Sequence, residues 1–265
     1  MKKRRIVVKV GTSTLTNELG NSNLRTVEKL AMTLSDIQNM GNEVILVSSG
    51  AIAVGANTMH LKEKPSTMRM KQAAAAVGQC TNMFLYDKFF GYYDKIVAQI
   101  LLNAEDIKQE EKKENLTNTF NTLLEMGVIP IVNENDSVSY TEIESEDRLF
   151  GDNDMLSAVV AVLCQADLLV ILSDIDGFFD KDPRLYKDAK LISRIDNIDE
   201  SVYRLAGGAG SRRGTGGMKT KLQAADLASG NGINTIVTNG KNPEILYEIV
   251  RGAKVGTLFA GHKDN

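Results

Sequence analysis

Several runs of nearly unbroken apolar residues, each followed by a helix-length segment, set the limits on this fold. Residues 5–10, 43–47, 96–102, 128–132 and 168–172 read as strands. Leu24, Val27, Leu30, Ala31, Leu34 and Ile37 recur at three- and four-residue steps and mark a helix that Gly41 stops. Further helical patterns cover 68–90, with a break expected near Gly78 or Gly91, then 116–124, 155–163, 222–228 and 244–250. Short strands are expected at 235–237 and 256–259, and short pieces near 191–195 and 201–205. Strands that are apolar throughout need cover on both faces, which is the pattern of a mostly parallel α/β sheet. Residues 133–148 are polar and aperiodic, so a long functional loop or a small hairpin is expected there. A second irregular region runs from 174 to about 217. No internal repeat and no Pro- or Ser-rich linker divides the chain.

Composition removes several function classes. A net charge of −3 and a pI near 5.6 offer none of the basic field that nucleic-acid binders use. The basic start Lys2-Lys3-Arg4-Arg5 is followed by an apolar run that Lys9 and Gly11 interrupt, so it reads as a strand and not as a secretory leader. No stretch has the roughly 18 apolar residues of a membrane span. Cys80 and Cys164 lie in Ala-rich apolar patterns, and both are expected to be buried free thiols of a cytoplasmic protein. His60 and His262 have no partner at metal-ligand spacing, and no protein metal site is expected.

Chemistry gathers where parallel sheets hold ligands, beyond the carboxyl ends of the strands. Those ends are Lys9-Val10-Gly11-Thr12, Ser48-Ser49-Gly50-Ala51, Asn133-Glu134-Asn135-Asp136, Ser173-Asp174 and Asn239-Gly240, all small, polar or glycine-bearing. One such end is ordinary turn chemistry; five exceed it. Lys9 is either an exposed residue of an edge strand or a buried cation, and its valine neighbours favour burial beside an anion. The stretch GGAGSRRGTGGMKTK, residues 207–221, matches neither the Walker A nor the Rossmann pattern. It nevertheless places Lys219 and Lys221 in the first turn of a helix. Backbone N–H groups and about half a positive charge collect at such an end. In Asp152-Asn153-Asp154 only one residue can cap the following helix, which leaves two for an ammonium, a lysine or Mg²⁺. No carboxylate stands out as a base. A hydroxyl acceptor usually recruits one, whereas a carboxylic acid with a pKa of about 4.3 is already ionised at neutral pH. The inventory therefore suits phosphoryl transfer to a carboxylate.

VVKVGTSTLT, VSSGAI, IVNENDSV, FGDNDMLSA, SDIDGFFDKDPR and GTGGMKTK occur in the order found in the amino acid kinase family, which the chain resembles over nearly its whole length. The resemblance implies a three-layer αβα sandwich with a mostly parallel central sheet, formed by one kinase domain over 1–265. A lobe of about 1–165 would bind the amino acid, and one of about 166–265 would bind ATP. It implies ATP-dependent, Mg²⁺-assisted phosphorylation of the L-glutamate side-chain carboxylate, the first step of proline biosynthesis. Another activity of the family, on acetylglutamate or a nucleoside monophosphate, and a sensor without turnover are the alternatives. By matching position, Lys9 and Lys221 would neutralise the phosphoryl group in flight, and Asp154 would hold them. Ser49, Gly50, Ala51, Asn133, Asp136 and Asn153 would bind the amino acid. Asp152 would either face the substrate or support a neighbour that does. Lys9, Gly11, Ser173, Asp174, Thr215, Gly216, Gly217, Met218, Lys219, Thr220 and Lys221 would hold the nucleotide. Feedback by proline, a dimer or tetramer, and absence of the C-terminal RNA-binding-like (PUA) domain complete the expectations.

Overall fold

The computed structural model describes residues 3–17, 21–138, 153–206 and 217–262. In chain order the elements are β1 (Arg5–Val10), α1 (Thr12–Leu15), α2 (Leu24–Asn39), β2 (Glu43–Ser48), α3 (Ala51–Thr58) and α4 (Met68–Gly91). Next come β3 (Val97–Leu102), α5 (Ala104–Lys108), α6 (Glu110–Glu125), β4 (Ile129–Glu134), α7 (Asn153–Leu163) and β5 (Leu168–Ser173). The last are β6 (Arg194–Ile195), α8 (Glu200–Ala206), α9 (Met218–Gly230), β7 (Asn234–Asn239), α10 (Ile245–Val250) and β8 (Thr257–Phe259). One eight-stranded sheet has the order β3-β4-β2-β1-β5-β7-β8-β6. Every neighbouring pair is parallel except β7–β8. β1 is therefore central, with β2 on one side and β5 on the other, and Lys9 is not on an edge.

Alternation along the strands sorts side chains into two layers. Val7, Ile45, Val47, Leu169 and Ile171 face α6, α7 and α9 in one core. Ile6, Val8, Val10, Leu46, Val170 and Leu172 face α2, α4 and α10 in the other. Lys9 shares the side of Val7 and so projects toward α7 and α9. Among the described residues no helix is long and apolar enough to cross a membrane.

α2 begins with a cap, the Asn23 side chain accepting from the Thr26 N–H, and ends before Gly41, whose φ of +91° suits a residue without a Cβ. Its inward face is as expected, except that Leu24 is 51% exposed in the first turn. Of the two breaks expected, the one at Gly91 is where α4 ends, whereas the helix runs unbroken through Gly78. Gly78 serves packing: a Cβ there would lie 1.8 Å from the Ala51 carbonyl oxygen, and one at Gly55 would lie 1.7 Å from the Ala74 oxygen. The two helices thus cross backbone to backbone, which only paired glycines permit. Gly78→Ala should force α3 and α4 apart and cost about 1–3 kcal/mol as an overpacking change. Chemical denaturation would read this, and an unchanged midpoint would mean the crossing is soft.

β4 reaches Glu134, two residues past the expected strand, so Asn133 sits on the sheet and not in a loop. The expected loop or hairpin is described only as far as Val138, and its remainder lies outside the described residues. Cys164 is buried as anticipated, and burial pushes its thiol up to about 12. Cys80 is exposed, contrary to expectation, because the Ala-rich stretch of α4 turns that face outward.

Candidate active site

Three charged side chains meet between β1, α7 and α9. The Lys9 Nζ lies 2.6 Å from Asp154 Oδ1, and the Lys221 Nζ lies 3.0 Å from Asp154 Oδ2. Lys9 and Lys221 are each 7% exposed and Asp154 is fully buried. Burial alone would raise the Asp154 carboxyl, but the two ammoniums outweigh it and hold it below the usual carboxylate range. The Thr220 hydroxyl lies 3.1 Å from Asp154 Oδ2 and 2.9 Å from the Gly217 carbonyl, which ties the start of α9 to the same carboxylate. Two lysines against one aspartate leave a net positive charge in a dry place. Such a centre attracts an anion far more strongly than the same charges would in water.

Local sequence explains the arrangement. Strand alternation carries Lys9 to the α7 face. Asp154 falls in the first turn of α7 and Lys221 in the first turns of α9, on sides that face each other across the end of β1. Lys219, two positions earlier, is exposed. Helical phase thus separates two lysines that look equivalent in the sequence. Gly11 is the first residue after β1, and a Cβ there would sit 3.6 Å from the Lys9 Nζ.

Asn153 assembles a second group. Its Nδ2 donates to Ser49 Oγ at 2.8 Å, to Asn133 Oδ1 at 2.8 Å and to the Ser48 carbonyl at 3.1 Å. The residue beside the charged centre therefore joins the ends of β2 and β4. Gly50 takes a left-handed φ of +92° and opens α3 without a side-chain cap, so Ala51 begins the helix with N–H groups facing this region. Asp136 is half-buried in the turn two residues beyond β4.

On the other side, the Ser173 hydroxyl donates to Asp174 Oδ1 at 3.1 Å at the end of β5. An open cleft of about 590 Å³ starts at Lys221, Gly217 and Met218 and continues past Asp174, Phe178, Phe179, Pro183 and Arg184. Of this cleft the sequence reading reached Asp174, Gly217, Met218 and Lys221, with Ser173 beside it, but none of the residues from Ile175 to Arg184. The adjoining FFDKDPR run supplies much of the cleft, and its Phe-Phe and Pro were the available signal. Asp152, Thr215 and Gly216 lie outside the described residues.

A mostly parallel sheet with its ligand groups at the strand ends, and paired lysines locked on one carboxylate, is the frame of a phosphotransferase. The model of the amino acid kinase family matches residues 4–239, and the chain belongs to that family. Its relatives include the glutamate 5-kinase of Clostridium perfringens, 56% identical over 98% of this chain and 96% of that protein. The glutamate 5-kinase of Enterococcus faecalis is 51% identical over 99% of this chain and 97% of its own length. That of Caldanaerobacter subterraneus is 50% identical over 98% of this chain, which spans 68% of it. Among solved structures, UMP kinase from Bacillus anthracis superposes with a TM-score of 0.65 at 18% identity, covering 97% of this chain and 96% of its own. Isopentenyl phosphate kinase from T. acidophilum gives 0.63 at 17% identity, covering 96% and 99%. Those two likenesses concern the fold.

Proposed function

We propose that this chain transfers the γ-phosphoryl group of ATP to the side-chain carboxylate of L-glutamate, giving L-glutamyl 5-phosphate and ADP. The substrate assignment is supported by glutamate 5-kinases at 50–56% identity over nearly the whole chain. The chemistry is carried by one observation, the two buried ammoniums on opposite oxygens of Asp154. Acceptor and donor are both anions, so the barrier is repulsion followed by charge build-up on the transferred group. Lys9 and Lys221 would turn from Asp154 toward the phosphoryl oxygens, with Asp154 keeping their amines aimed. No base is required, because the acceptor is already ionised. Attack is in line, and no covalent enzyme intermediate forms.

Ser49, the N–H groups at Gly50 and Ala51, Asn133, Asp136 and Asn153 would hold glutamate in the N-terminal lobe, about 1–165. Asp152 would stand near this group. The nucleotide would lie in the C-terminal lobe, about 166–265. Its phosphates would meet Gly11, Ser173, Asp174 and residues 215–221, and its base would enter the apolar cleft beside Phe178 and Met218. Mg²⁺ would come with ATP, held chiefly by phosphate oxygens. That manner of binding is common for this ion and asks for no acidic cage. The proposal extends to inhibition by proline, to a homo-oligomer and to a cytoplasmic location.

The direct test is ADP release with and without glutamate, with the acyl phosphate trapped by hydroxylamine. ADP release that ignores glutamate, or that follows N-acetylglutamate or a nucleoside monophosphate instead, would overturn the assignment. Asp136→Ala should raise the glutamate KM about tenfold or more through loss of a charge-assisted contact, leaving the ATP KM unchanged. An unaltered glutamate KM would remove Asp136 from the binding site.

A further inference from the structure

The acceptor-side loop Ser48–Ala51 is braced from behind by α4, a helix to which no role has yet been given. Tyr86 is 2% exposed, set among Phe89, Phe90 and Ile131 in the α2/α4 core. A hydroxyl in such surroundings is costly unless it finds a partner. Its partner is the Ser48 hydroxyl, 2.8 Å away and itself 3% exposed. Ser48 is the last residue of β2, and its carbonyl accepts from Asn153 Nδ2, which also binds Ser49 Oγ. Two turns earlier on the same face of α4, Gly78 lets the Ala51 carbonyl approach to backbone contact. Between them, Gln79 Nε2 donates to the Glu134 carbonyl at 3.4 Å, at the end of β4. One helix face thus touches the end of β2, the start of α3 and the end of β4.

We propose that Tyr86 is a positioning residue for the acceptor substrate: its hydroxyl fixes Ser48, and through it the placement of Ser49 and of the first N–H groups of α3. The proposal rests on the reading that Ser49–Ala51 bind glutamate. Phenylalanine would fill the same core volume without an oxygen to satisfy. The tyrosine hydroxyl therefore adds direction to the end of β2, and little to packing.

The test is Tyr86→Phe, which keeps the ring and removes one hydrogen bond, compared with Ser48→Ala, the double variant and Ser49→Ala. A single neutral hydrogen bond corresponds to about a three- to tenfold effect. Tyr86→Phe and Ser48→Ala should each raise the glutamate KM by about that factor, with the ATP KM unchanged and circular dichroism native. The double variant should be no worse than the more impaired single one, because both remove the same contact. A lowered melting temperature with both KM values unchanged would make the contact merely structural and overturn the proposal, as would full additivity in the double variant. Ser49→Ala separates the two levels. If it raises the glutamate KM while Tyr86→Phe does not, the bracing role alone falls. If Ser49→Ala also leaves that KM untouched, the acceptor-site reading and the proposal fall together.

Discussion

Lys221→Met should lower turnover about 100- to 1000-fold, the usual effect of deleting one group that meets charge developing in a transition state. Methionine retains most of the buried stem, and Lys9 still pairs with Asp154, so neither packing nor a naked charge confuses the result. The fold should survive, as near-native circular dichroism would show. The glutamate KM should change far less than kcat, because the amine is held by Asp154, whereas Asn153 holds Ser49 and Asn133 through its own amide. Lys9→Met should behave alike through the other carboxylate oxygen. Wild-type turnover in either variant would take that lysine out of the mechanism.

Asp154→Asn should be the most destabilising isosteric change in the site. It leaves two buried ammoniums facing each other across a neutral amide. Removing one member of a buried ionic group typically costs about 3–5 kcal/mol. For a chain of this size that corresponds to a fall in Tm of about 6–20 °C. Its pH dependence gives a second signature. The Asp154 pKa is lower folded than unfolded, where it would be about 3.9, so unfolding takes up a proton as acidity rises. Its contribution is fully present above about pH 4 and is lost as pH falls through the depressed folded value. The wild-type advantage over Asp154→Asn should therefore be flat near neutrality and shrink only in strong acid. A difference that disappeared between pH 5 and 8 would mean that another group, not this carboxylate, supplies the stability.

How far this site could be read from the residues depended on the range of the signal. Lys9 was legible, because valines on both sides of a lysine signal burial, and burial requires an anion. Asp154 was ambiguous as a helix cap until its position against both lysines was known. Lys219 and Lys221 could be told apart by the family resemblance but not by the local pattern, since their difference is rotational phase about α9, which depends on where the helix begins. Gly78 looked like a breaker because the sequence does not reveal what crosses it. Tyr86 gave no signal at all: in an apolar helix a tyrosine reads as core, and its partner lies 38 residues away. The parallel sheet, by contrast, follows from runs that are apolar on both sides, a local property, and among the described residues the two-residue β6 lies in what was expected only as a short piece near 191–195.

The alternation that aims Lys9 at α7 carries a constraint of its own. Dropping or adding one residue within β1 could still give a strand of good hydrophobicity, yet the amine would emerge into the α2 layer, out of reach of Asp154. Enzymes built on this frame should therefore tolerate changes of length at their loop tips while keeping the parity of this strand intact. A chain engineered with a two-residue shift could keep its function where a one-residue shift would not.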